Sequence, residues 1–254
     1  MGRVMKLSSP PQRIVSLVPS ITELLHDLGL KDEVVGITKF CIHPKPWCKT
    51  KTKVGGTKKV NFERISELEP DLIIGNKEEN TLEDITALEK THNVFMTDVN
   101  SFADALEMIE LLSLVCNREY NGQRLIHQLK DLRNNSKTSS KISAIYLIWK
   151  DPYFAVGQQT FINDMMEIAG FKNLILTDRY PEITLEEINN TLPQFLLLST
   201  EPYPFANKHL SEISTHLNNI KLVLVDGEMF SWYGSRLLKS FEYFEQLKLE
   251  LEEN

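Results

Sequence analysis

Three side chains that bind soft metals lie close together in the first quarter of the sequence. Cys41, His43 and Cys48 form the pattern Cys-x-His-x4-Cys, and thiolate and imidazole groups are the ligands that zinc prefers. A structural zinc site needs four such ligands, and no second Cys/His pair accompanies this segment. We therefore predict no metal site.

The motifs that indicate catalysis are missing from the sequence. We find no nucleophile elbow, P-loop, zinc-protease helix or dinucleotide fingerprint. Residues 55–58 lack the spacing of a P-loop, and residues 232–235 lack the glycines that flank a nucleophile elbow. The sequence therefore predicts a protein that is not an enzyme and carries no catalytic residues.

Charged side chains occur in predicted turns, where a ligand can reach them. Lys77 and Glu78 directly follow an apolar strand, while Arg179 and Glu201 fall in turns of the second half. Ligands of parallel sheets gather at the carboxyl ends of the strands. We expect these four side chains to bind amide or carboxylate groups of a ligand, although solvated turn charges explain them equally well.

Aromatic side chains also concentrate in predicted turns, where they can stack on a flat ligand or close a hydrophobic core. We predict ligand contacts for these aromatic residues: Phe40, Trp47, Trp149, Tyr153, Tyr180, Tyr203, Phe205, Trp232 and Tyr233. His43 lies in the same kind of turn and is included among the ligand-binding candidates.

A run of lysines occupies the long loop predicted for residues 39–60. It contains no acidic residue between its members, which are Lys45, Lys49, Lys51, Lys53, Lys58 and Lys59. A solvated loop is the simplest interpretation of such a run. Long loops without a repeating pattern are, however, often functional in compact domains.

The elements that must position these side chains alternate between strand and helix. Strands are predicted at residues 13–18, 34–38, 71–75, 94–96, 142–148, 173–176, 195–199 and 221–225. Helices are predicted at residues 20–28, 61–68, 81–90, 101–115, 160–169, 184–192 and 207–217, followed by a last helix that ends near residue 251. This alternation predicts an α/β fold with two lobes, each a mainly parallel sheet flanked by helices.

One long helix is predicted to join the two lobes. Residues 117–134 carry an apolar stripe, which Gly122 interrupts, and the polar stretch 134–141 ends the helix. The predicted domains are an N-terminal lobe at 1–116, a backbone helix at 117–135 and a C-terminal lobe at 136–254.

A capped helix, a proline and an apolar strand occur in the same order in both halves. Residues 61–74 and 184–197 match in this way, and Glu63 and Glu186 each stand seven residues before the proline. Acidic residues stabilise the first turn of a helix, which explains each glutamate alone. It does not explain why the pattern repeats.

Composition bounds the possible functions. With 42% hydrophobic and 25% charged residues, the 254-residue chain is large enough for one large domain or two small ones. A net charge of -7 without a basic stripe argues against nucleic-acid binding. Three cysteines do not suggest a disulfide framework, and no signal segment is visible. We expect a cytoplasmic protein as the chain stands, or a periplasmic one if a signal was removed.

Five segments, in order along the chain, resemble the helical-backbone substrate-binding proteins of ABC importers, which carry cobalamin, ferric siderophores or haem. They are residues 13–23 (RIVSLVPSITE), 35–38 (VGIT), 61–65 (NFERI), 69–74 (EPDLII) and 157–173. The cobalamin-binding branch is the one that the chain resembles most.

The resemblance implies two α/β lobes joined by one helix, with a corrinoid or iron-chelate ligand held between them and no further cofactor. It also implies that one glutamate of each lobe docks on the permease of an importer, and Glu63 and Glu186 stand at those positions. Phe40 falls near a cobalamin-stacking tyrosine of the family, whereas Thr57 replaces a stacking tryptophan. The expected state is a monomer.

Two alternatives remain open from the sequence. The first is a cytoplasmic sensor or carrier of a metal-chelate ligand that works without a transporter. The second is an enzyme acting on a corrinoid or tetrapyrrole, with His43 or Glu78 as its acid or base.

Overall fold

A computed structural model describes residues 7–136 and 142–252 of the chain. The first six residues, on which part of the expectation of no signal segment rests, lie outside the described residues. So do residues 137–141 of the polar stretch that was expected to end the joining helix. Within the described residues, no helix is long and apolar enough to span a membrane.

The chain divides into two compact units. Unit 1 comprises the described residues up to Val99, together with Ala103–Gln128 and Tyr233–Arg236. Unit 2 comprises Asn100–Phe102, the described residues from Leu129 to Trp232, and those from Leu237 onward. Each unit has its own sheet, which confirms the predicted two-lobed α/β fold.

Unit 1 alternates strands and helices along the chain. Its elements are β1 (Ile14–Ser16), α1 (Pro19–Asp27), β2 (Val34–Ile37), α2 (Lys45–Thr50), β3 (Thr52–Lys53), α3 (Phe62–Glu67), β4 (Leu72–Asn76), α4 (Leu82–Leu88), β5 (Val94–Thr97), α5 (Phe102–Val115) and α6 (Glu119–Asn135). The five strands pair in parallel in the order β3-β2-β1-β4-β5.

The sheet of unit 1 is held by apolar side chains that its strands and helices bury together. Val15 and Ile73 of the central strands and Leu17, just after β1, pack with Ile65 of α3 and Ile85 of α4, and all five are buried. Burying one such side chain stabilises the fold by about 1.5 to 3 kcal/mol. The loops that follow the carboxyl ends of the strands are therefore supported by a packed hydrophobic core.

Helix α6 begins in unit 1 and ends in unit 2. Gly122 lies in its interior because a Cβ atom there would overlap the side chain of Ser113 on α5. The glycine that weakens the helical pattern in the sequence thus permits α5 and α6 to pack closely.

Unit 2 contains the remaining elements. They are β6 (Ile142–Trp149), β7 (Phe154–Ala155), α7 (Phe161–Ile168), β8 (Phe171–Asn173), α8 (Leu185–Thr191), β9 (Phe195–Ser199), α9 (Asn207–Ser214), β10 (Lys221–Val225), α10 (Gly227–Ser231) and α11 (Leu237–Glu252). The strand order is β10-β9-β6-β7, with β8 also paired to β6, and only β7 is antiparallel.

The repeat seen in the sequence is also a repeat of topology. In unit 1 the parallel order is β2-β1-β4-β5, and in unit 2 it is β8-β6-β9-β10. Helix α3 precedes β4 in the first series, and α8 precedes β9 in the second. The segments that carry Glu63 and Glu186 therefore occupy equivalent positions in two similar units.

Several local predictions were wrong, each for a physical reason. The helix predicted at residues 20–28 begins one residue earlier, because Pro19 takes the first helical position after the N-cap residue Val18, and Ser20 is buried inside the helix. The loop expected at 39–60 contains α2 and β3, which are too short to show a pattern.

The second half holds similar differences. The strand expected at 173–176 lies at Phe171–Asn173, because the Asn173 side chain donates hydrogen bonds to Val156 O and Asn163 Oδ1 and ends the strand there. The turn expected at 226–234 begins with α10, which Asp226 caps by accepting a hydrogen bond from the Glu228 amide.

Candidate functional site

Three loops at the carboxyl ends of strands in unit 1 form one continuous surface. They are residues 38–40 after β2, residues 54–60 after β3 and residues 77–80 after β4, and we call this surface the unit 1 edge. Lys39 N donates to Gly55 O at 2.8 Å, Asn80 Nδ2 to Thr57 O at 2.9 Å, and Lys58 Nζ to Glu78 O at 2.5 Å. These hydrogen bonds join the middle loop to both of its neighbours.

The middle loop is a tight turn that requires glycine. Gly55 has a φ of +102°, and a Cβ atom there would lie 2.7 Å from Lys59 O. The Gly56 amide donates to Lys59 O at 2.8 Å and closes the turn. The turn thereby holds Thr57, Lys58 and Lys59 at its tip.

Phe40 presents an aromatic ring at the unit 1 edge. Its side chain is 51% exposed, and a Cβ atom on Gly56 would lie 3.1 Å from its Cε2 atom. Glycine at position 56 therefore lets the ring lie against the backbone of the turn. Lys39 Nζ lies 5.0 Å from the ring centroid, within the range of a cation–π interaction.

Buried asparagines hold the turn after β4. Asn76 Oδ1 accepts hydrogen bonds from the amides of Glu78 and Glu79, and Asn80 Oδ1 accepts from the Asn76 amide. The exposed Lys77 ammonium pairs with Asp98 at 2.7 Å. The turn therefore has a fixed backbone, with Lys77 and the half-buried Glu78 at its surface.

The segment Tyr233–Arg236 lies buried in unit 1. The Arg236 guanidinium donates to both carboxylate oxygens of Glu23, at 2.8 and 2.7 Å, and Tyr233 OH donates to Glu79 Oε1 at 3.3 Å. Burial, together with the Glu79 carboxylate, raises the pKa of Tyr233 well above its ordinary value. Tyr233 therefore acts as a neutral hydrogen-bond donor inside the unit.

The two thiols of the Cys-x-His-x4-Cys segment have different partners. Cys41 Sγ lies within hydrogen-bond distance of Thr22 and Thr38, while Cys48 Sγ donates to Cys41 O. Burial raises the pKa of the Cys41 thiol, and His43 is half-buried. The described residues contain no cluster of three or more potential metal ligands.

Unit 2 has a corresponding surface beyond its own strands. We call it the unit 2 edge, and it consists of residues 149–151 at the end of β6, 200–206 after β9 and 226–227 after β10. Gly227 permits the close approach of these loops, because a Cβ atom there would lie 2.5 Å from both Glu201 Cγ and Ser199 Oγ.

The Glu201 carboxylate lies largely inside the unit 2 edge. Its Oε1 atom accepts hydrogen bonds from Ser231 Oγ at 2.6 Å and from Trp232 Nε1 at 2.8 Å. Burial raises the pKa of Glu201, and the nearby acids Glu228 and Asp226 add to this, while the two hydrogen bonds oppose it. The indole ring of Trp232 is buried and holds the carboxylate in place.

Four rings cluster around the loop that follows β9. Tyr203 lies edge-on to Trp149, with a centroid separation of 5.7 Å, and packs against Phe205 at 4.7 Å and His209 at 5.5 Å. Trp149 is 42% exposed and Tyr203 is half-buried, whereas Phe205 and His209 are buried. The cluster therefore offers Trp149 and Tyr203 to a ligand.

His209 holds this loop through a backbone hydrogen bond. The Ala206 amide donates to His209 Nδ1 at 3.0 Å, so Nδ1 carries no proton and Nε2 donates to Tyr203 OH at 3.4 Å. Burial lowers the pKa of His209, and the ammonium groups of Lys208 and Lys150 lower it further. The neutral imidazole is the form that fits the loop.

The other predicted ligand residues of unit 2 lie near β7. Tyr153 packs against the hydrophobic core, and burial raises its pKa. Arg179 donates to Asn100 Oδ1 at 2.9 Å and to Gln159 O at 2.6 Å, and its guanidinium lies 5.7 Å from the ring of the half-buried Tyr180. A shallow cavity of about 380 Å³ beside α8 contains none of the predicted residues.

Trp47, like Phe205, Trp232 and Tyr233, is covered by protein. Its ring lies edge-on to His26, and Lys51 Nζ lies 5.2 Å from its centroid. The structure thus brings Phe40, Lys77 and Glu78 together at one edge and Trp149, Glu201 and Tyr203 together at another.

Glu63 and Glu186 stand at the second position of α3 and of α8, and both are exposed. Asn61 caps α3 by accepting from the Arg64 amide, and Thr184 with Glu187 forms a capping box on α8. The described part of the chain shows neither hydrogen bonds nor ion pairs for the two carboxylates. Both are therefore available to a partner.

Sequence reasoning missed several residues that shape the two edges. They are Glu23, Lys39, His209 and Arg236. Lys39 adjoins Phe40 at the end of a predicted strand, so its position was a usable signal. The partners of Glu23 and His209 gave no signal, because neither contact follows from spacing along the chain.

Comparison with known proteins gives a consistent picture. The family model described as "Periplasmic binding protein" matches residues 14–219. An uncharacterized ABC transporter substrate-binding lipoprotein of Bacillus subtilis, YvrC, is 32% identical over 180 residues, which cover 66% of this chain. The matched region spans 56% of the length of that relative.

Two further matches concern vitamin B12-binding proteins. The vitamin B12-binding protein of Vibrio cholerae is 25% identical over 208 residues, covering 79% of this chain and 74% of that protein. The crystal structure of a periplasmic vitamin B12 binding protein of Vibrio cholerae superposes with a TM-score of 0.81 at 22% identity, covering 94% of this chain and 98% of the other. The second match establishes likeness of fold.

The family model begins at β1 and extends beyond α9, so it covers every strand of the repeated topology except β10. The resemblance to the helical-backbone substrate-binding proteins of ABC importers is thus confirmed, and the chain belongs to the periplasmic binding protein family.

Proposed function

We propose that this protein is the substrate-binding component of an ABC importer and holds a corrinoid or iron-chelate ligand without catalysing a reaction. The observation that carries the proposal is the pair of loop surfaces at the carboxyl ends of two similar parallel sheets, each with an exposed or half-exposed aromatic ring. These rings are Phe40 at the unit 1 edge and Trp149 and Tyr203 at the unit 2 edge. The sequence relatives named for substrate or vitamin B12 binding support it.

The ligand contacts that we propose are exposed or half-buried side chains of the two edges. At the unit 1 edge they are Phe40, Lys77 and Glu78, and at the unit 2 edge Trp149 and Tyr203. Aromatic faces suit the flat or bulky rings of such chelates, and the charged groups can bind polar arms. Trp47, Phe205, Trp232 and Tyr233 are not among these contacts because their rings are buried.

Ligand titration followed by tryptophan fluorescence tests this proposal. Trp149 is the exposed tryptophan among three, since Trp47 and Trp232 are buried. We expect cyanocobalamin, haem or a ferric siderophore to quench the fluorescence of the wild-type protein, and the Trp149→Phe variant to lose most of the quenching. A protein whose fluorescence none of these ligands changes, and which retains none of them in equilibrium dialysis, would not be a receptor of this class.

For the transporter, we propose that Glu63 and Glu186 dock on cationic side chains of the permease. Their support is the equivalent position on two capped helices, one in each unit, with both carboxylates exposed. An exposed carboxylate pairs readily with arginine, and two such pairs fix an orientation.

Charge reversal tests the docking proposal. The double variant Glu63→Lys/Glu186→Lys should lose ligand uptake in cells that carry the importer, while its Kd for the ligand stays unchanged. Glu67→Lys/Glu245→Lys is a matched control, because it reverses two exposed acids elsewhere on α3 and on α11. Normal uptake by the first variant, or a weakened Kd, would contradict the assignment.

A further inference from the structure

The lysine-rich loop of the sequence separates into two groups in the structure. Lys45 and Lys49 lie on α2, and the half-buried Lys51 and Lys53 lie between α2 and the end of β3. Lys58 and Lys59 instead reach the unit 1 edge, at the tip of the tight turn. There they join Lys39 and Lys77, which follow β2 and β4.

Three of these four edge lysines have no carboxylate partner in the described part of the chain. Lys39 lies over the Phe40 ring, and the Lys58 ammonium donates to a backbone carbonyl. The Lys59 side chain is exposed. Lys77 alone is paired, with Asp98 at 2.7 Å.

The acidic groups of the same surface are already engaged. Glu79 accepts the hydroxyl of Tyr233, Asp98 pairs with Lys77, and Asp84 accepts the Val60 amide at 3.1 Å. Glu78 is half-buried and also has a partner. The positive charges around Phe40 are therefore more available to a ligand than the negative ones.

We propose that the unit 1 edge selects an anionic ligand, in which an aromatic or apolar face lies on Phe40 while carboxylate or catecholate groups pair with Lys39, Lys58 and Lys59. This inference rests on the proposed function and narrows it to an anionic metal chelate, such as haem with its propionates or a ferric tris-catecholate. Cyanocobalamin is neutral overall and carries a single phosphodiester beside its neutral amide arms, so it offers the three ammonium groups at most one anionic group.

The geometry suits such a ligand because the Phe40 ring rests against the tight turn that carries two of the charges. Phe40 rests on Gly56, and Lys58 and Lys59 are the third and fourth residues after Gly55. The long flexible stem of Lys39 lets its ammonium move from the ring to a nearby anion. Interactions of this kind weaken with salt, since the Debye length falls from about 10 Å at 0.1 M to about 3 Å at 1 M.

A panel of ligands of different charge tests the inference. Wild-type protein is titrated with haem, a ferric tris-catecholate, cyanocobalamin and the cationic hydroxamate chelate ferrioxamine B, at low and at high salt. We expect at least one anionic chelate to bind more tightly than the other two ligands, with an affinity that falls as salt rises. The same titrations are repeated with Lys39→Gln/Lys58→Gln/Lys59→Gln.

The matched control is Lys31→Gln/Lys49→Gln/Lys90→Gln. These lysines are exposed and precede β2, β3 and β5, so they remove the same charge from the opposite end of the same sheet. The edge variant should weaken the anionic chelate about tenfold or more, which corresponds to about 1.4 kcal/mol. The control variant should leave the Kd within about twofold of the wild type.

The possible outcomes separate the two proposals. If wild-type protein prefers cyanocobalamin or ferrioxamine B, or if the edge variant binds the anionic chelate like the control, selection of an anionic ligand is overturned while the receptor function stands. If wild-type protein binds none of the four ligands, both proposals fail. Circular dichroism of the edge variant confirms that any lost affinity is not lost folding.

Discussion

At the scale of single residues, Glu201 shows how a chemically interesting group becomes a structural one. The sequence places this glutamate in a turn and suggests a ligand contact. In the structure, Ser231 and Trp232 donate to its carboxylate, and burial raises its pKa. A carboxyl group with a raised pKa favours the protonated form in the folded state.

The free energy of unfolding therefore depends on pH, because ionised Glu201 destabilises the folded state. Because the folded pKa lies above the unfolded value of about 4.3, stability from this group is complete below that value and falls as pH rises through the folded pKa. Glu201→Gln keeps the acceptor oxygen and removes the charge. We therefore expect the variant to be more stable than the wild type at pH 7, by about 1 kcal/mol.

Urea unfolding at several pH values measures this difference. The advantage of Glu201→Gln should shrink as pH falls towards about 4.3. Glu182→Gln, at an exposed position of the same unit, is the control and should show no such trend. An advantage that stays constant with pH would mean that the Glu201 charge is not its cause.

Residue-scale prediction from sequence worked where the signal was local. Glu63 and Glu186 were found because cap, proline and strand recur at fixed spacing, and the structure gives them equivalent positions. Trp47 shows the limit, because a tryptophan in a loop without apparent pattern looks like a ligand contact. Nothing along the chain reveals that α2 turns its ring towards His26.

At the scale of elements, most helices and strands follow from caps and apolar runs. Thr81, Thr160 and Thr184 accept the amide three residues on, as their spacing predicts, and β9 and β10 have the predicted bounds. The elements that were missed, α2, β3, β7 and α10, have two to six residues. Elements this short are stabilised by tertiary contacts, so the sequence shows no periodic pattern of apolar residues that would predict them.

The first turn of helix α9 is held by a histidine side chain. His209 is the third residue of the helix and accepts the Ala206 amide through Nδ1. Protonation of Nδ1 removes this acceptor and releases the loop that carries Tyr203. The groups facing the imidazole are Lys208 and Lys150, which disfavour its protonation, and Glu212 and Asp151, which favour it.

We therefore expect the conformation of this loop to depend on pH through His209. Its folded pKa is lowered, so the stabilisation is complete above the unfolded value of about 6.5 and is lost as pH falls below it. Fluorescence of Trp149, which contacts Tyr203, should change between about pH 7.5 and about pH 5 in the wild type.

Substitution of the histidine tests this expectation. In His209→Gln, the side-chain oxygen can still accept the amide but does not titrate, so the fluorescence change should be lost. His216→Gln removes an exposed histidine just beyond the same helix and should retain the wild-type profile. A pH profile that His209→Gln leaves unaltered would place the titrating group elsewhere.

At the scale of the whole molecule, the sequence predicts two similar lobes and the helix between them, but not every boundary. The segment Tyr233–Arg236 lies between α10 and α11 of unit 2 and yet belongs to unit 1. Its anchor is the buried pair of Arg236 and Glu23, which are 213 residues apart in the chain. Neither local periodicity nor the internal repeat contains this contact.

A double-mutant cycle measures the coupling free energy between Glu23 and Arg236. Glu23 and Arg236 are both buried, so Glu23→Met and Arg236→Met should each destabilise the protein by about 3 to 5 kcal/mol, because each variant removes a hydrogen-bonded ion-pair partner from a buried charge. The double variant should recover most of this loss, since two apolar side chains of similar size often replace a buried pair without cost. Urea unfolding followed by circular dichroism gives the free energies, and cleavage by trypsin after Arg236 should appear in Glu23→Met but not in the wild type.

A cycle on the exposed pair Lys77–Asp98 is the control, with an expected coupling of only about 0.2 to 1 kcal/mol. Additive losses at Glu23 and Arg236 would show that something other than their mutual contact holds the segment in unit 1.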